Sequence, residues 1–137
     1  MFTYRFSFVA ALLILLIGPA SANGVSPENV DGAVTVDAAA AKALFDKEAL
    51  FVDVRKDEDW DAGRVPGALH LELNKTFNAD ALGEEVQKDE EVVIYCNGHK
   101  CMRSSEASKM AVDWGFSKVY YFRDGFPAWK KAGYPVE

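Results

Sequence analysis

"IYCNGHKCMRSSEA", residues 94–107, holds both cysteines of the chain, Cys96 and Cys101. The apolar run EVVIY leads into Cys96 and reads as a buried strand, short and rich in β-branched residues. A polar loop with one glycine separates the two thiols. From Arg103 the pattern turns helical, with Ala107, Met110, Ala111 and Trp114 at i, i+3, i+4 and i+7. Gly115 is placed to end that helix in a left-handed conformation. A loop between a strand end and a helix start gathers unpaired backbone N–H groups at the positive end of the helix dipole, and so forms an anion cradle. A thiol at the strand end would face those donors, with Lys100 and Arg103 nearby to lower its pKa into a reactive range. Gly98 would let the backbone turn and keep the cradle open.

Outward from this segment, strand-like and helix-like patterns alternate. AVTVD (33–37) is a short β-type run, and Asp37 can cap a helix over AAAAKALFDKEA. LFVDVR (50–55) reads as a buried strand. KDEDWDAGRVPGA starts as a short charged helix and is broken by Gly63, Pro66 and Gly67. LHLEL (69–73) alternates like a strand, and NADALGEEVQK suggests a helix starting near Asn78 or Asp80. KVYYF is a further strand, RDG a turn, and FPAWKKAG a short last helix with Pro127 in its first turn. Trp60, Trp114 and Trp129 are expected in the core. Such alternation predicts an α/β fold, a largely parallel sheet covered by helices on both faces. The functional crevice of such a sheet lies beyond the carboxyl ends of its strands, where Cys96 falls.

The first 22 residues read as a secretory signal peptide: Arg5, an apolar stretch from Phe6 to Ile17, then Ala20-Ser21-Ala22 as a small-x-small cleavage site. An uncleaved membrane anchor is the alternative, although the stretch is short of the roughly 20 residues that span a bilayer. Residues 23–32 read as a polar N-terminal arm, and 33–137 as one domain, which about 100 residues suffice to make. The net charge of −6, with no basic run, argues against nucleic acid as a partner. Export to a periplasmic or extracellular space implies oxidising conditions, in which the two cysteines could pair. A bridge across four residues staples little of a fold, so chemistry is the stronger reason for the pair.

The chain resembles the rhodanese family of thiosulfate sulfurtransferases, over about Val34 to Val136. VDVRKDEDWDAGRVPGALHLEL is similar to the family's first motif, with its Asp-x-Arg, its acidic-aromatic pair (Asp59-Trp60) and its Pro-Gly-Ala turn. YCNGHKCMRSSEA is similar to the catalytic loop, and GFSKVYYFRDGFPAWKKAGYPV to the family's ending. The resemblance implies a three-layer fold around a mostly parallel five-stranded sheet. It implies a persulfide on a loop cysteine, a small sulfur-containing anion such as thiosulfate as donor, and cyanide or a thiol as acceptor. It also implies a monomer that needs no metal or organic cofactor. Carried onto this chain, Cys96 is the expected nucleophile and Arg103 the stabiliser of charge on the transferred group. Cys101, which the family pattern lacks, lies close to the helix start and is read as a resolving thiol, with the alternative that it carries the persulfide itself. Asn97, Gly98, His99, Lys100 and Met102, with Arg55 from the first motif, would surround the substrate. Arg55 could equally form a structural ion pair with Asp53.

Three departures from the family pattern stand out. Six residues separate Cys96 from Arg103, where the common loop has four and the related cell-cycle tyrosine phosphatases have five. Arg64 replaces the usual His before the Pro-Gly turn, and Asp124 replaces the first of two glycines. Cys101 is the largest change. It leaves open a structural disulfide, a metal held by Cys96, His99 and Cys101, and a non-catalytic binding or redox-sensing module.

Overall fold

The computed structural model describes residues 24–137. The expected signal peptide and its cleavage site at Ala22 lie outside the described residues. Five strands, β1 (Ala33–Thr35), β2 (Leu50–Asp53), β3 (Leu69–His70), β4 (Glu91–Tyr95) and β5 (Lys118–Phe122), form one sheet in the order β1-β5-β4-β2-β3. All four pairings are parallel. Parallel neighbours need a crossover between them, and the helices α1 (Ala38–Asp46), α2 (Asp57–Ala62), α3 (Ala79–Glu85) and α4 (Arg103–Asp113) lie in those connections, while α5 (Gly125–Lys131) follows β5. The α/β three-layer architecture expected from the alternating pattern is the one observed.

The caps read from the sequence are in place. The Asp37 carboxylate accepts from the Ala40 amide at 2.8 Å, and the Asn78 side chain accepts from the Ala81 amide at 2.8 Å. Each satisfies a donor that the first helical turn leaves unpaired. LHLEL gives only two residues of strand. β3 lies at the sheet edge with β2 as its one partner, and beyond His70 the chain leaves the ladder.

Two cores lie on opposite faces of the sheet, divided by the period-two alternation of its strands. Val52, Val54, Val92, Ile94 and Cys96 pack on one face with Leu82, Ala107, Ala111 and Phe116. Phe51, Val93, Tyr95 and Phe122 pack on the other with Ala41, Leu44, Phe126 and Trp129. Of the three tryptophans only Trp129 is fully enclosed. Trp114 is partly buried against the first core, and Trp60 stacks on His70 at 4.6 Å. This division fixes the direction of the site. Cys96 continues the alternation of β4 and therefore faces the α4 layer.

Candidate active site

β4 lies in the middle of the sheet, and Cys96 is the first residue beyond its carboxyl end. Its side chain is 1% exposed, while Cys101 at the other end of the loop is partly exposed. The two form a disulfide with Cα atoms 6.2 Å apart, inside the usual span for such a bridge. This is the pairing that the sequence left open for the two cysteines. Four residues curve tightly enough to bring the sulfurs together, and the Cys101 amide donates to the Gly98 carbonyl at 3.0 Å to close the turn. With both sulfurs engaged in one bond, neither is available as nucleophile or metal ligand until the bridge is reduced.

The loop is held from three sides. Arg55 is 3% exposed and clamped on Asp53, with Nη2 to Oδ2 at 2.7 Å. Its remaining donors reach the Gly63 carbonyl at 2.6 Å and the Asn97 side-chain oxygen at 3.2 Å. Its guanidinium lies over the Phe126 ring, 4.6 Å from the centroid. The Asn97 amide donates in turn to Asp59 at 3.0 Å. Arg55 thus reaches the cleft over the disulfide through Asn97, forms the ion pair with Asp53 that the sequence left as an alternative, and lines a neighbouring cleft with Asn97 and Phe126. On the second side, the chain after β5 packs against the loop. The Phe126 amide donates to the Cys96 carbonyl at 2.9 Å. Gly125, at φ +66°, allows this approach, because a Cβ there would collide with the Cys96 carbonyl and stand 2.8 Å from the Gly98 nitrogen. Gly98, at φ +101°, faces the Asp124 carbonyl closely in return.

His99 in the lengthened loop pairs with Asp124. Two of the departures from the family pattern therefore meet: the added loop residues are tied by the carboxylate that replaces a glycine. On the third side the arm crosses the loop. The Ser26 amide donates to the His99 carbonyl at 2.6 Å, and Arg123 donates to the Ser26 carbonyl at 2.7 Å. The third departure, Arg64, lies over Trp60 at 4.5 Å and donates to its carbonyl.

Arg103 opens α4 and pairs with Glu72, and it also donates to the Val54 carbonyl at 3.3 Å. Burial opposes ionisation of Glu72, but the Arg103 hydrogen bond and the Asn74 amide outweigh it and hold its carboxyl below the usual carboxylate range. One oxygen of Glu72 and the hydroxyls of Ser104 and Ser108 have no partner among the described residues. Tyr95, buried on the opposite face, has its hydroxyl pushed far up by burial and by the Asp53 charge. It stays a neutral phenol that accepts from the Val65 amide. A cleft of about 320 Å³ opens over the disulfide, lined by Lys56, Asp59, Cys96, Asn97, Lys100, Cys101 and Arg103. Of the expected substrate contacts, Asn97 and Lys100 line this cleft. Gly98 is buried, His99 turns to Asp124, and Met102 stands exposed before α4 on the side of the arm. Asp59 was read only as half of the acidic-aromatic pair, and Lys56, Glu72, Gly125 and Ser26 were not singled out from the sequence. Only the Gly125-Phe126-Pro127 stretch carried a signal, as part of the family's ending.

The profile of the Rhodanese-like domain family matches residues 37–132. An HTH-type transcriptional regulator of Mycobacterium tuberculosis is 37% identical over 90 residues, which cover 66% of this chain and 38% of the regulator. The chain therefore spans little more than a third of that relative. The thiosulfate sulfurtransferase GlpE of Vibrio cholerae is 28% identical over 79% of this chain and 98% of its own length. Among solved structures, a Rhodopseudomonas palustris protein described as a "possible tyrosine phosphatase" superposes with a TM-score of 0.61 at 31% identity, covering 77% of this chain and 85% of that one.

Proposed function

The chain belongs to the rhodanese-like domain family, and from that membership we propose a sulfurtransferase that works through a persulfide on Cys96. The observation that carries the reading is the place of Cys96, at the end of the central strand under a loop whose cleft holds Lys56, Lys100 and Arg103. In the reduced protein the Cys96 thiolate attacks the outer sulfur of thiosulfate or a similar sulfane donor. The S–S bond of the donor breaks, sulfite leaves with the bonding pair, and Cys96 keeps the sulfur as a persulfide. Cyanide then takes that sulfur as thiocyanate and restores the thiolate. Cationic side chains and loop amides aimed at the transferred charge are the preorganised electrostatics that lower such barriers. Asp53, Arg55 and Asn97 contribute by holding the loop in shape. Cys101 gives a second exit: its thiolate attacks the Cys96 sulfur, hydrosulfide leaves, and the Cys96–Cys101 disulfide remains.

The test is mass spectrometry of the reduced protein after incubation with thiosulfate. A gain of one sulfur on Cys96, removed by cyanide as thiocyanate and lost in Cys96→Ser, is expected. No gain with any sulfane donor would sink the transferase reading. It would favour the second one, a redox-sensing module, which the disulfide itself recommends. Export is part of the proposal, since an oxidising compartment suits this bridge. Sequencing the N-terminus of the exported protein should then begin at Asn23.

A further inference from the structure

The disulfide is not symmetric towards solvent. Cys96 is 1% exposed beneath the loop, whereas Cys101 is partly exposed and lines the cleft. A thiolate opens a disulfide by attacking one sulfur and expelling the other, so access decides which bond forms. The expelled Cys96 would be left as a thiolate at the end of β4, in the cleft that Lys56, Lys100 and Arg103 line, where cationic neighbours favour its charge. The cleft also selects by charge. Arg103 is paired with Glu72, and Asp59 keeps its negative charge while it accepts from Asn97. Lys56 and Lys100 are exposed, neither is bonded to a carboxylate among the described residues, and together they outnumber Asp59. That makes a locally positive rim on a chain of net charge −6.

We propose that the oxidised protein has a second activity as an oxidant of small anionic thiols, entered through Cys101. The incoming thiolate bonds to the Cys101 sulfur, and the Cys96–Cys101 bond breaks with its electron pair going to Cys96. A second thiolate attacks the thiol-derived sulfur of the mixed disulfide, which releases the small disulfide and the Cys101 thiolate. Two thiols are oxidised, the protein gains two electrons, and their protons pass to solvent. The inference depends on the sulfurtransferase reading in one respect only: the sulfur set free is the one that carries persulfide there.

The probe is glutathione added to the oxidised protein at neutral pH, followed by rapid quenching with N-ethylmaleimide and tryptic digestion. Cleavage after Lys100 puts the two cysteines on separate peptides. Glutathione on Cys101 with maleimide on Cys96 is the expected result. Glutathione mainly on Cys96, or two free thiols in protein exposed to mild oxidant beforehand, would overturn the proposal. For charge selection, 2-mercaptoethanesulfonate should reduce the bridge about tenfold faster than cysteamine per thiolate at low salt. The ratio should collapse near 1 M salt, where the screening length is about 3 Å. The double variant Lys56→Glu/Lys100→Glu should reverse it, and a ratio indifferent to salt and to both lysines would refute the anionic preference. Persulfide loading is measured separately on pre-reduced protein. Wrong regiochemistry with normal loading defeats only this inference, and right regiochemistry without loading defeats only the sulfurtransferase.

Discussion

Glu72 is the residue on which the helix carrying the site depends most directly. Its carboxylate holds Arg103 at the head of α4, and its depressed pKa means that folding favours the ionised form. The stabilisation is fully present above the unfolded value of 4.5 and is lost as pH falls through the lower folded value. Glu72→Gln should therefore cost about 2 kcal/mol at pH 7, less than a wholly buried pair because Arg103 is partly exposed. The gap between variant and parent should narrow as pH falls below 4.5. Thermal melts at pH 7 and pH 3 check this, and a gap independent of pH would assign the loss to packing. At Cys101 the expectation concerns chemistry: Cys101→Ser should still load sulfur on Cys96, and its activity should no longer depend on reductant. Comparing turnover of parent and variant with and without reductant decides it. The sequence made the cysteines, Lys100 and Arg103 legible because loop chemistry is local. Glu72 was not legible, since alternation in LHLEL puts it with the polar set, and only the early end of β3 turns it inward.

At the scale of elements, the loop after β4 and the turn before α5 behave as one unit. Gly125 sits at φ +66° with its α-carbon against the Cys96 carbonyl, so Gly125→Ala combines a strained backbone with a collision. A loss of about 3 kcal/mol is expected, roughly 10 °C in Tm for a domain of this size. Sulfur loading should fall further than the melting curve alone accounts for, because the methyl group pushes on the loop itself. Gly83→Ala is the matched control. That glycine lies inside α3 with open space around its missing side chain, and alanine there should add about 0.5–1 kcal/mol. A Gly125→Ala protein that melts and loads like the parent would mean that the two elements are not coupled. Strands, helices and caps were readable because hydrophobic period and Asp or Asn caps are written in neighbouring residues. The seam between loop and turn joins residues nearly thirty positions apart, and no local pattern records that distance.

For the whole molecule, the question is why the arm is ordered at all. Residues 24–32 carry few apolar groups, yet Ser26 and Val30 are buried. Three long-range contacts fasten the segment: the Ser26 amide to His99, Arg123 to Ser26, and the Tyr121 hydroxyl to the Pro27 carbonyl at 2.9 Å. These join the start of the described chain to β5 and to the site loop at once. Each hydrogen bond contributes about 0.5–1.5 kcal/mol and the burial of Val30 about 1.5 kcal/mol, against the entropy of ordering the segment. Removing residues 23–30 should thus lower stability by about 2 kcal/mol and leave the sheet intact, since no strand is touched. The effect on the loop should be more specific. Without the Ser26 bond, amide exchange across 97–101 should quicken while β4 and β5 stay protected. Reduction of the disulfide by glutathione should quicken with it, because the strap no longer limits opening. Hydrogen exchange and reduction rates on a chain starting at Asp31 and on one starting at Asn23 give the comparison. Equal exchange in the loop would mean that the arm stabilises the fold without governing access to Cys101.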